Sequence, residues 1–225
     1  MIKSKILLIL LVFFNTYARS QTIETKQDFG TWLGFRLEKD LPKKFDISLE
    51  QQVRTWRNTT RIDQYLVDAG VKYSINKNFA LNGNVRYIHD TNKFKNPENN
   101  FRYNLGIQLK FKVAKKLNLS FSNKYQQKFI YNVKSLNAER VSTLRHKIKL
   151  QLKYKKKHKF YFGTELFIRS SLVRDPHFHK QRFNLGDKIK TKSGEFNTGI
   201  GYEFSVATAE FRSLFFIKLI YTIRL

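Results

Sequence analysis

The stretch from Phe101 to Val113 places Phe101, Tyr103, Leu105, Ile107, Leu109, Phe111 and Val113 at odd positions and Arg102, Asn104, Gly106, Gln108, Lys110 and Lys112 between them. Strict alternation of apolar and polar residues marks an extended strand with two unlike faces, because successive side chains leave the backbone on opposite sides. A helix would need apolar residues at three- and four-residue spacing, which is absent here. The same period runs through Tyr65, Val67, Ala69, Val71, Tyr73 and Ile75, and through Phe79, Leu81, Gly83, Val85 and Tyr87. Weaker versions cover most of the remaining chain. The expected strands are 29–38, 44–56, 62–75, 78–88, 101–113, 116–131, 140–154, 159–169, 182–191, 195–204 and 213–225. Several exceed the about five or six residues of ordinary globular strands and suit the roughly 9–11 that cross a bilayer at a tilt.

Tight links at 40–43, 76–77, 114–115, 155–158 and 192–194 alternate with longer polar stretches at 89–100, 132–139 and 170–181. Outer-membrane barrels have short periplasmic turns and longer outer loops. On that rule the lysine-rich turns face the periplasm, and 89–100 and 170–181 face outward. The expected fold is all-β: a transmembrane antiparallel up-and-down β-barrel. Eleven segments are visible, whereas a single-chain bacterial barrel with both termini on one side has an even number. Ten to twelve strands are expected, twelve preferred. Residues 21–28 then form a short N-terminal extension or an extra strand, and 29–225 the barrel.

Before that lies a delivery signal at 1–20: Lys3 and Lys5, an apolar run from Ile6 to Phe14, then Ala18-Arg19-Ser20 ahead of a cleavage before Gln21. That run is too short for a membrane-spanning helix, and no later segment reaches the roughly 18–20 apolar residues one needs. The chain has no cysteine, which removes disulfides, a lipoprotein anchor and thiolate chemistry together. Its net charge is +26, and loss of Lys3, Lys5 and Arg19 with the leader would leave it strongly basic. The basic residues are spread over nearly every segment instead of forming one patch, so no nucleic-acid partner is expected.

Alternation alone does not say which face looks outward; a lipocalin-like barrel or a β-sandwich would alternate in the same way with its apolar face buried. Three features favour a membrane. Cations occupy the polar face along its length, as in Arg145, Lys147, Lys149 and Lys153 opposite Leu144, Ile148, Leu150 and Tyr154. Aromatic residues sit near strand ends, among them Trp32, Trp56, Tyr73, Tyr87, Tyr154 and Tyr161. The chain closes on Phe215, Ile217, Leu219, Tyr221, Ile223 and Leu225, similar to the signal read by outer-membrane assembly machinery, although that signal typically ends on an aromatic. Asp187 and His146 fall on the apolar face. Asp187 is expected either at an interface or turned inward by a bulge near Gly186, and His146 at an interface.

Strand parity sends Arg36, Glu38, Glu50, Arg54, Asp68, Lys72, Arg86, Arg102, Lys110, Lys124, Arg145, Lys147, Lys149, Glu165, Arg169, Glu203, Lys218 and Arg224 into the lumen. Eight-stranded barrels are filled by side chains and 16–18-stranded porins are open, so at ten to twelve strands the interior is either filled and structural or a narrow pore. With cations outnumbering acids, such a pore would prefer anions. An embedded lipid hydrolase would need an activated Ser; the one strand-borne candidate is Ser142 with His146, lacking an acidic partner. Asp175-Pro176-His177-Phe178-His179 offers two imidazoles and a carboxylate, though His-x-His in a loop is ordinarily just solvated. No cofactor and no enzymatic activity are expected. Loop cations Lys93, Lys95, Arg174 and Lys180 suit outer-membrane lipids, lipopolysaccharide phosphates in particular.

Phe29-Gly30-Thr31-Trp32-Leu33-Gly34-Phe35-Arg36-Leu37-Glu38-Lys39, then Ser48-Leu49-Glu50-Gln51-Gln52-Val53-Arg54, then Arg61-Ile62-Asp63-Gln64-Tyr65 together resemble the opening strands of a family of small Gram-negative outer-membrane proteins known only as a domain of unknown function. The resemblance implies an outer-membrane β-barrel over roughly residues 29–225 and carries no catalytic residues with it.

Overall fold

The computed structural model describes residues 24–91, 97–132, 139–171, 174–207 and 210–225. The leader at 1–20, and the loop cations Lys93 and Lys95, lie outside them. Eleven strands close into one barrel: β1 (Glu24–Leu41), β2 (Phe45–Trp56), β3 (Arg61–Ser74), β4 (Phe79–Asp90), β5 (Glu98–Ala114), β6 (Leu117–Asn132), β7 (Glu139–Tyr154), β8 (His158–Ser171), β9 (Arg174–Lys190), β10 (Glu195–Ala207) and β11 (Glu210–Arg224). Neighbours in sequence pair antiparallel, and the seam between β1 and β11 is parallel, from Glu24 beside Glu210 to Glu38 beside Arg224. The count falls inside the expected range, but it is odd. An even number is required only when every pair is antiparallel; a parallel seam removes that condition and puts Glu24 and Arg224 at opposite ends of the barrel.

Two expected boundaries change. Residues 24–28 are the first part of β1 and not a separate strand. The long loop expected at 170–181 is mostly strand, since β8 runs to Ser171 and β9 starts at Arg174. Its polar, Pro-containing sequence reads as loop because the β8–β9 ladder is irregular there, with register shifts at Phe167/Ile168 and Arg169/Ser171. His179 has no partner in that ladder, and Pro176, which lacks an N–H, sits within the second irregularity, where such a residue is tolerated.

The barrel is inside out. Odd positions of β3, β4 and β5 and even positions of β7 carry exposed Val67, Val85, Leu105 and Leu144, with Leu105 and, on β10, Ile200 each 60% exposed. Buried polar residues such as Gln52, Asn104, Ser120, Gln126 and Glu165 stand on the inner face. Asp187 keeps its outer-face parity: pairing through Gly186 and Asp187 is regular on both sides, so no bulge turns it inward. Near the short-turn end its carboxylate meets His158 Nδ1 at 2.6 Å and accepts the Lys159 amide at 2.9 Å.

Large inner rings are accommodated by glycines one or two strands away. Phe216 lies over its register partner Gly201, and the Tyr161 hydroxyl end occupies the space beside Gly186 and Gly199. A ring over a glycine restores the packing that a strand glycine lacks. Trp32 and Tyr161 therefore do not belong to an interfacial girdle: both point inward and are 7% exposed. Their parity matches that of Arg36 and Glu165, so parity and not proximity to a strand end decides where these rings lie.

Candidate functional site in the barrel lumen

The inner face carries two arcs of unlike chemistry. Across β7, β8, β9 and β10 the register aligns Lys147, Glu165, Arg182 and Glu203. Signs alternate along this row, the arrangement in which cross-strand charges stabilise a sheet. Arg145, one residue pair along β7, donates from Nη2 to Glu165 at 2.7 Å and from Nε at 3.1 Å. Arg182 lies 3.6 Å from the other Glu165 oxygen and makes a short contact to Glu203, which also takes Lys180 Nζ at 3.0 Å. The network is packed against rings: Arg145, Lys180 and Arg182 lie 4.9, 4.9 and 5.1 Å from the Phe167 centroid. Arg54 lies 4.0 Å over Trp32, which stacks on Phe216 at 3.7 Å.

Across β4, β5 and β6 the register instead aligns Arg86, Arg102 and Lys128. Like charges directly opposite one another destabilise a sheet. Asp68, next in the row on β3, pairs with Arg86 and accepts Asn84 Nδ2 at 2.7 Å. Arg102 and Lys128 form no ion pair among the described residues, and Arg102 Nε is buried without a hydrogen-bond partner.

The two arcs enclose a polar cavity of about 190 Å³ in the half of the barrel toward the longer connections, lined by Arg54, Arg86, Arg102, Lys128, Arg145, Arg169, Lys180, Arg182 and His179 together with Gln64, Gln126 and Thr143. No carboxylate belongs to that lining. A second cavity of about 180 Å³ toward the short turns is lined by Lys124, Arg145, Lys147, Lys149 and Glu165 with Asn82, Gln108, Ser120 and Ser122. Arg145 borders both.

The other residues expected inside are distributed as follows. Arg36 pairs with Glu38 and Glu50, and Arg224 with Glu38, in one cluster near the C-terminal end of β1. Lys72 pairs with Asp46. Lys149 and Lys218 share the face of Tyr161 at 5.9 and 5.0 Å. Lys110 forms no ion pair among the described residues. Residues that sequence reasoning missed include Arg182, Lys180, Lys128 and Glu195, the last joined to Lys159 and Lys188. Lys180, expected in an outer loop, is on β9 and bound to Glu203. Extending the alternation of Phe183 and Leu185 back through Gln181 and Phe178, with one bulge, would have found both Arg182 and Lys180.

Ser142 and His146 share the outer face but not a hydrogen bond. Ser142 Oγ donates to Gln127 Oε1 at 2.9 Å, whereas His146 Nδ1 meets Asn123 Oδ1 at 2.9 Å. The pair needed for an activated serine is therefore not assembled. His177 Nδ1 donates to the Asp175 carbonyl at 2.9 Å, and among the described residues no group of three or more His, Asp or Glu is placed to hold a metal.

Fold and interior together define a closed, inside-out β-barrel with a polar, charge-bearing core. The chain belongs to the protein family of unknown function DUF2490, whose model matches residues 29–209. None of the curated proteins matches it. Among solved structures, the NanC porin in a rhombohedral crystal form is similar at 13% identity, covering 78% of this chain and 87% of that one with a TM-score of 0.49.

Proposed function

We propose that this protein is an integral outer-membrane barrel without enzymatic chemistry, whose interior is a narrow conduit preferring small anions. The observation that carries the reading is the cavity wall bearing Arg86, Arg102 and Lys128 in one cross-strand row with no carboxylate in the lining. A barrel selected only for stability would neutralise such a row, since unpaired buried charge is costly. A ring of Arg and Lys lowers the barrier for anions and raises it for cations. Membrane placement is supported by the continuous outer belt of exposed Leu, Ile, Val and Phe, far larger than the apolar patches soluble monomers tolerate. In this orientation the leader is cleaved before Gln21, the lysine-rich short turns face the periplasm, and cations at the opposite rim meet lipopolysaccharide phosphates.

A second reading, a purely structural barrel, is favoured by the alternating row from Lys147 to Glu203, whose Arg182 lines the first cavity and whose Lys147 and Glu165 line the second. Planar-bilayer recording across a potassium chloride gradient separates the two. The pore reading expects small unitary currents whose reversal potential has the sign of chloride preference. Silence in the bilayer supports the structural barrel, and a cation-selective current overturns the anion reading.

A further inference from the structure

We infer that the cavity between the two arcs is a binding site for a compact multivalent oxyanion of the phosphate or pyrophosphate class, an inference that rests on the anion-preferring reading of the lumen. Eight cationic side chains border about 190 Å³. Three carboxylates stand behind them and are already engaged: Asp68 with Arg86, Glu165 with Arg145 and Arg182, Glu203 with Arg182 and Lys180. Arg54, Arg102 and Lys128 keep no ion pair among the described residues. The deficit is local, because none of these carboxylates lines the cavity.

Arg102 supplies an independent pointer. Its Nε is buried and has no hydrogen-bond partner, and its neighbours across both ladders, Arg86 and Lys128, are cations that offer it none. A buried guanidinium donor without an acceptor is rare, and an acceptor entering the cavity would satisfy it. Guanidinium forks match the spacing of phosphate oxygens, and several forks around one small space favour a ligand with several charged oxygens over a monatomic ion. Size limits the class. Sites for drug-sized molecules run to about 300–1,000 Å³, so this cavity suits a bare oxyanion and excludes a nucleotide. Its position inside the barrel distinguishes free oxyanion from the phosphates of membrane lipids, which stay outside.

The test uses the full mature chain in detergent micelles, with inorganic pyrophosphate as the probe and chloride at equal ionic strength as the reference. Titration calorimetry and the thermal unfolding midpoint are both followed. Saturable pyrophosphate binding that raises the midpoint is expected, with affinity falling as salt rises. Arg102→Gln and, separately, Lys128→Gln each weaken binding about tenfold or more, consistent with the loss of one charge-assisted contact, while Lys155→Gln at a short turn leaves it unchanged. Arg102→Gln also unfolds no earlier than the parent when no oxyanion is present. Midpoints indifferent to pyrophosphate, or a response that Arg102→Gln and Lys128→Gln both retain, overturn the site. Binding without conductance leaves the site standing and removes the pore; conductance without binding does the reverse.

Discussion

Arg86 and Arg102 stand directly opposite each other on β4 and β5, and Lys128 continues the row on β6. On β7, β8, β9 and β10 the corresponding row alternates in sign, with Glu165 opposite both Lys147 and Arg182. One side of the lumen is thus internally neutralised and the other is not. The contrast separates charges that hold the wall together from charges left to meet something else.

Reversing the middle charge tests this division. Arg102→Glu would pair with Arg86 and Lys128, and cross-strand pairs of opposite sign contribute roughly 0.2–1 kcal/mol each. The variant is expected to unfold at a higher urea concentration than the parent, and its bilayer currents should lose most of their anion preference.

Glu165 is the opposite case. It is 4% exposed and engages Arg145 and Arg182, so Glu165→Gln leaves two guanidinium groups undercompensated. Removing one member of a buried pair costs about 3–5 kcal/mol. Urea unfolding from lipid vesicles should show a loss of that order, with any remaining conductance more strongly anion-selective than the parent's.

Asp28 organises the turn between β2 and β3. Its carboxylate accepts the amides of Arg57 at 2.9 Å and Asn58 at 3.0 Å, and Arg57, Asn58 and Thr59 all have positive φ, at 52, 53 and 66°. Left-handed backbone costs a non-glycine residue roughly 1–2 kcal/mol, and hydrogen bonds to a charged group contribute about 1.5–3 kcal/mol. Asp28→Ala should lower stability by about 2–4 kcal/mol, and adding Asn58→Gly should recover part of it, both read from the temperature at which gel migration changes.

Two glycines give a paired prediction. A Cβ on Gly201 would overlap the Phe216 ring, whereas on Gly83 its nearest neighbours are at 3.5–3.8 Å. Gly201→Ala must displace Phe216 from its stack on Trp32 and should cost about 1–3 kcal/mol, as overpacking does. A shift in tryptophan emission should accompany that loss. Gly83→Ala should change neither.

Much of this was legible from alternation alone, since the parity of Leu105, Ile107 and Leu109 fixes the two faces of β5 and, through pairing, of its neighbours. The closure was not legible, because whether β1 meets β11 parallel or antiparallel depends on the whole barrel and leaves no local mark. β9 was only half visible, since Pro176 and the unpaired His179 interrupt its period and imitate a loop. The interior row of Arg86, Arg102 and Lys128 is invisible within any single strand. Each residue is an unremarkable inward cation, and only the register makes them neighbours.

An inside-out barrel requires apolar residues to face lipid while polar ones face a hydrated interior, and the absence of cysteine allows that to be measured one residue at a time. Single cysteines at Leu105, Ile107 and Gln108 would be probed in native membranes with a water-soluble and a lipid-soluble thiol reagent. Leu105 and Ile107 are exposed on the outer face, and Gln108 lines the inner cavity toward the short turns. Labelling of Gln108→Cys by the water-soluble reagent, with Leu105→Cys and Ile107→Cys reached only by the lipid-soluble one, is the predicted result. Water-soluble labelling of Leu105→Cys and Ile107→Cys, with Gln108→Cys silent, would contradict the arrangement outright.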